Sequence, residues 1–198
     1  FIKALAKMSG LSMTRIQFTP DLMPSDILGG ERLTEVEGGV VPVFRKGPVF
    51  TQVLLADEVN RANPRTQSAL LEAMGEGHVT VAGETLSLPE PFLVFASQNP
   101  IEMQGTYPLP EAQTDRFMMC IKMQRPSAAD LPKIMTIRSD EALEQVRPLL
   151  DADSIAAYQR LARGVPAASN VLQSLAALID ETWRACQQTV QGRMVGMG

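Results

Sequence analysis

The chain has 198 residues, 45% of them hydrophobic and 20% charged, with a formal net charge of −4 at neutral pH. That is the composition of a globular protein with room for one good core plus a small helical appendage. No apolar run approaches the ~20 residues needed to span a bilayer, no charged-then-apolar signal peptide opens the sequence, and the acidic balance offers no basic stripe for nucleic acid.

Residues 1–8 have helical spacing, with Ile2, Leu5 and Ala6 on one face and no N-cap ahead of them, so the chain reads as a helix entered in mid-turn. Gly10 stops it, and residues 12–18 (SMTRIQF) alternate like a strand. A short helix is expected over 21–28. Residues 33–49, rich in glycine, valine and charge, suggest a hairpin. The segment VLLADEVNRA (53–62) is an apolar run ending in two adjacent acids, Asp57 and Glu58. Such a run, bounded by a turn signal, predicts a buried strand of a parallel sheet. Asn63 and Pro64 then open a helix as cap and first-turn proline, with Leu70, Leu71 and Met74 on one side and its end near Gly75–Glu76–Gly77. Residues 78–88 (HVTVAGETLSL) predict a hairpin around Ala82 and Gly83. Residues 92–96 (FLVFA) predict another buried strand, closed by Ser97-Gln98-Asn99-Pro100.

A short helix over 111–117 leads into a predicted final strand at 118–123, and Pro126 breaks the pattern. Everything afterwards is helical by period, over 129–137, 140–146, 154–162 and about 168–188, the last with an apolar stripe of Leu172, Leu175, Ala176, Ile179 and Trp183. Strands alternating with helices, then helices alone, predict an α/β domain over 1–125 followed by a helical one over 126–198. Cys120 and Cys186 lack metal-ligand spacing and the single histidine, His78, cannot anchor a zinc site by itself, so a reducing cytoplasm is the expected compartment. The eleven methionines read as core filler.

Open α/β sheets bind ligands at the carboxyl ends of their strands. Asp57 and Glu58 occupy such an end, in the layout of a Walker B element, where one carboxylate holds Mg²⁺ through water and its neighbour orients the water that attacks a nucleotide γ-phosphate. Adjacent parallel strands end at one edge, so Asn99 is expected beside the acids, where a neutral amide can hold the attacking water or touch the γ-phosphate. Arg116, near a domain edge, could reach a neighbouring subunit's nucleotide as an arginine finger. Each has an ordinary alternative. The acids could be a solvated turn, Asn99-Pro100 a common turn pair, and Arg116 a surface ion pair with Asp115. His78 reads as a surface residue, and Tyr107 as a loop anchor or a contact residue.

Residues 54–117, LLADEVNRANPRTQSALLEAMGEGHVTVAGETLSLPEPFLVFASQNPIEMQGTYPLPEAQTDRF, resemble the core of the MoxR family of AAA+ ATPases. The likeness extends back through RIQFTPDLMPSDILGG (15–30) and weakens after Pro126. The resemblance implies an α/β P-loop NTPase core with a parallel sheet, a C-terminal α-helical lid, and ATP with Mg²⁺ as ligands. It also implies a hexameric ring of identical subunits that remodels or assembles client complexes, often with a von Willebrand factor A domain protein. By that resemblance Asp57 is the magnesium-associated acid, Glu58 the catalytic glutamate, Asn99 the sensor-1 residue and Arg116 the finger acting on the adjacent subunit. Residues 33–49 correspond to the clade's helix-2 insert, and 78–88 to the hairpin before sensor 1, a type thought to face the ring's pore.

No GxxxxGK[ST] phosphate loop occurs in these residues. The helix at 1–8 resembles the one that follows that loop, and MVGMG at the other end resembles the approach to sensor 2. The expectation is a piece truncated at both ends, which alone folds poorly, does not bind ATP tightly and is inactive. The alternatives are another helix-2-insert assembly ATPase (rubisco-activase-like, gas-vesicle or nitric-oxide-reductase) and, from a different class, a degenerate nucleotide-free interaction module.

Overall fold

The computed structural model describes residues 1–36, 39–81, 83–99, 105–136 and 139–195. The predicted turn residue Ala82, Pro100 of the turn pair, the predicted helix end at Ile137 and the last residues of the sensor-2 approach lie outside them. Two compact units are present, Phe1–Ala156 and Ala157–Gly198.

In chain order the first unit holds α1 (Ile2–Met8), β1 (Met13–Gln17), α2 (Pro24–Leu28), the hairpin strands β2 (Gly29–Val36) and β3 (Gly39–Lys46), and β4 (Val53–Asp57). A short 3₁₀ turn at Val59–Arg61 leads to α3 (Pro64–Glu76), then the hairpin β5 (His78–Val81) and β6 (Glu84–Ser87), and β7 (Leu93–Ala96). The one-turn helix α4 (Glu111–Thr114), α5 (Leu131–Thr136) and α6 (Ser139–Glu144) follow. The helix α7 (Ala152–Arg163) begins in the first unit, and α8 (Ser169–Val195) lies in the second.

Strands β1, β4 and β7 form a parallel sheet in that spatial order, with Gln17 opposite Asp57 and Ala56 opposite Ala96. Side chains alternate across it. On one face Ile16, Leu54 and Ala56 join Phe18, Ile27, Val59 and Leu70 in the main core. On the other, Val53, Met13, Leu93 and Phe95 pack against Ala6 and Leu11 beside α1 and against Ala152 and Ile155 of α7. Both faces are therefore covered, as a parallel sheet requires.

Helix α3 positions the site, and its boundaries follow from local chemistry. The Asn63 side chain accepts the Thr66 amide at 3.0 Å while its own amide donates to the Leu22 carbonyl. Pro64 fits the first turn, and Gly77 ends the helix in the left-handed region at φ 67°. Gln67, buried in α3, donates to the carbonyls of Val59 at 3.1 Å and Tyr107 at 2.9 Å. Replacing it by leucine leaves two carbonyls without that donor. In the intact protein Gln67→Leu should cost about 2–4 kcal/mol of stability; an unchanged denaturant midpoint would count against this anchor.

Two sequence expectations are corrected. Residues 118–123 form no strand; Met118 and Met123 are 96% and 90% exposed. An extended apolar run becomes a strand only when its backbone pairs, and among the described residues no strand lies outside β1 or β7. For the same reason β7, expected to be buried, is only half-buried along its length. The stripe of α8 is exposed as well, with Leu172, Leu175, Ile179 and Trp183 between 49% and 67% accessible.

Candidate active site

The site is built at the carboxyl edge of β4. Asp57 is its last residue, and Glu58 follows in the left-handed conformation, φ 56° and ψ 48°. Glu58 is the one non-glycine residue with positive φ among the described residues. For a glutamate that conformation is strained, and strain of this kind persists where surrounding contacts fix it and clusters at working sites. The contacts are present. Ser97, just past β7, accepts the Glu58 amide at 2.9 Å and donates from the same hydroxyl to Asp57 Oδ1. Arg15 of β1 donates to Asp57 Oδ2 from Nε at 3.1 Å and from Nη2. Gln17, two residues on and on the same face, accepts Arg15 Nη2 at 3.0 Å and donates to Glu58 Oε2 at 2.8 Å. Arg61 pairs with that oxygen at 3.1 Å.

The two acids thus have different surroundings. Asp57 is held by a hydroxyl and a guanidinium, and Glu58 by an amide and a second guanidinium. The hydrogen bonds from Ser97 and then Arg15 hold the Asp57 carboxyl below the usual carboxylate range. Its folded value lies under its unfolded one, so its contribution to stability is present above about pH 4 and fades as the pH falls through the folded value. Ser97→Ala removes the first-named cause. In the magnesium-free protein the Asp57 titration midpoint, followed by carbon-detected NMR, should rise toward the usual carboxylate range; an unmoved midpoint would show that Ser97 does not hold this acid.

Asn99 lies next to this cluster. Its carbonyl accepts the side-chain amide of Asn60 at 3.3 Å, so the neighbouring strand ends do bring Asn99 beside the turn that follows the acids. Asn60 is buried, takes the Tyr107 amide on its backbone carbonyl at 2.6 Å, and keeps a buried Oδ1 without a partner. Tyr107 therefore anchors its loop through its backbone. His78 is half-buried, with Nδ1 3.0 Å from the Glu76 carbonyl.

Arg116 is elsewhere. Its Nη1 donates to the Leu71 carbonyl at 2.9 Å, in an open groove of about 300 Å³ lined also by Ser68, Glu72, Glu76 and Gln113. Leu71 stands eight residues along α3 from its cap, Asn63, about 12 Å of helix. The structure therefore sets Asp57 and Glu58 at one strand end, with the backbone of Asn99 on the turn that follows them, and seats Arg116 on α3. Sequence reasoning passed over Arg15, Gln17 and Ser97. The signal for the first two was the alternation of β1, which puts both opposite to Ile16, but their partner depended on the register with β4.

Two neighbouring carboxylates, partly exposed at a strand end, are the donor set that Mg²⁺ takes together with substrate phosphates. The residues present fit the metal-facing side of such a site. Asp57 would hold the ion, and the ion would supply charge neutralisation on the phosphates.

The family model described as "ATPase family associated with various cellular activities (AAA)" matches residues 1–119. The chain belongs to the AAA ATPases. Within them it falls on the MoxR branch. It is 40% identical to the chaperone MoxR1 of Mycobacterium tuberculosis over 99% of its own length and 49% of that protein's. It is 41% identical to YeaC of Bacillus subtilis over 91% of its length and 56% of that protein's. A crystal structure of a protein from Cytophaga hutchinsonii, proposed to be an ATPase, superposes with a TM-score of 0.80 at 40% identity, over 91% of this chain and 55% of that one. The chain thus spans about half the length of the relatives it matches. The α/β fold with a parallel-sheet core is that of this family, and no helix among the described residues is long and apolar enough to cross a membrane.

Proposed function

We propose that the intact protein is a MoxR-type, ATP-hydrolysing chaperone of the cytoplasm that remodels or assembles protein complexes. Residues 1–125 serve as the nucleotide-binding core and 126–198 as the helical lid. Asp57 holds Mg²⁺ through water, Glu58 orients the attacking water, and Asn99 fixes that water or the γ-phosphate. Arg116 acts on the nucleotide of the adjacent subunit in a hexameric ring. The client complex and a von Willebrand factor A domain protein are the proposed partners.

The observation that carries this reading is the Ser97 hydroxyl. It ties Asp57 to the strained backbone of Glu58, so the two acids are held together at one strand end. A solvated acidic turn has no need of a left-handed glutamate. Pre-organised groups of this kind cost little rearrangement at the moment of reaction. Arg116 is seated on the carbonyl of Leu71 in α3 rather than on the acids of its own subunit, which supports action in trans.

The test is phosphate release from ATP by the intact protein. Release that requires magnesium supports the reading. No release at any magnesium concentration would sink it and leave the nucleotide-free interaction module.

A further inference from the structure

We propose that Gly75 is a positioning residue for Arg116, its missing side chain opening a seat for the guanidinium on the last turn of α3. The proposal rests on the reading of Arg116 as the finger that serves a neighbouring subunit.

Gly75 stands one residue before the end of α3, and its backbone is not in the left-handed region that calls for glycine. A glycine in a helix weakens it relative to alanine, so the backbone gives no reason for it here. The surroundings do. A Cβ at this position would overlap Arg116 Nη1 and lie 3.5 Å from its Cζ, both atoms of one guanidinium. In an α-helix the carbonyl of Leu71 accepts the amide of residue 75, so a side chain at 75 stands beside that carbonyl and shields it. With none there, Arg116 Nη1 reaches the same oxygen at 2.9 Å.

The seat suits a cation. It is near the helix's carboxyl end, where the dipole is negative, and Glu72 and Glu76 line the same groove. It also leaves the group able to act. A guanidinium has five N–H donors, and the Leu71 carbonyl takes one. The exposed side chain is thereby anchored at one nitrogen with donors to spare for a neighbour's phosphate, which lessens the freedom lost on engagement. Because the clash is with the far end of a flexible chain, a methyl group at 75 displaces the guanidinium and leaves the helix intact.

The test compares Gly75→Ala, Arg116→Ala and the double variant in the intact protein. Gly75→Ala should lower kcat about 5- to 10-fold through misplacement of the finger, with KM for ATP unchanged and Tm equal to or above that of the parent. It should add nothing once Arg116 is alanine, and Gly75→Ser, which carries the same Cβ, should act alike. The Arg116 side-chain NMR resonance should also move in Gly75→Ala. An unchanged resonance, an unchanged or raised kcat, or the same loss in the Arg116→Ala background would overturn the seat while leaving the finger in place. If Arg116→Ala itself leaves kcat unchanged, the finger reading fails, and the resonance alone then decides whether the seat exists.

Discussion

Glu58→Gln in the intact protein should lower ATP turnover by at least about 100-fold, the range expected for loss of a general base, while ATP affinity stays within about threefold. The reason is local. Glutamine keeps the volume of glutamate and an oxygen that can accept from Gln17 Nε2, which donates to Glu58 Oε2 at 2.8 Å. It keeps the backbone amide that donates to Ser97. What it loses is the negative charge, which pairs with Arg61 and, in the proposed role, polarises a water and accepts its proton. Binding depends on other groups, so the effect falls on kcat. The measurement is single-turnover hydrolysis beside an equilibrium binding titration with a fluorescent ATP analogue. Turnover within tenfold of the parent would remove Glu58 from its role, and a parallel loss of binding would make it a structural residue of the nucleotide pocket.

Arg116→Ala should lower kcat by about 10³-fold, the lower end of what an arginine finger contributes. In the proposed role its charge would be used only as the phosphoryl group departs, so ATP binding should change far less than turnover. Stability should hardly move. Arg116 is exposed and its hydrogen bond is to a helical carbonyl at the rim of an open groove, which solvent can replace. Full activity in Arg116→Ala, or a Tm loss large enough to explain the drop, would return Arg116 to the status of a surface arginine.

Much of the first unit could be read from the residues because its determinants are local. Asn63 caps α3, Pro64 fits its first turn and Gly77 closes it. The alternation of residues 12–18 gives β1, and the apolar run ahead of Asp57 gives β4 with its acids at the edge. Placing Asn99 beside the turn at Asn60 needed only that neighbouring parallel strands end together. What was not legible depends on partners far away in sequence. The apolar run at 118–123 carries a strand's pattern, yet a pattern does not say which strand it pairs with, and here it pairs with none of the described strands. The stripe of α8 likewise marks a face without naming what covers it. The network of Arg15, Gln17 and Ser97 follows from one register, Gln17 against Asp57, and a shift of one residue would send both β1 side chains to the other face.

The central claim is that the acids of one subunit and Arg116 of the next make one site. The direct measurement mixes intact Glu58→Gln and Arg116→Ala proteins, each inactive alone, under conditions that exchange subunits. A subunit with Glu58 intact can then take its arginine from a neighbour that lacks only the glutamate. The account predicts ATP hydrolysis in the mixture well above the sum of the two separate proteins. Hydrolysis no greater than that sum, with subunit exchange verified, would contradict it.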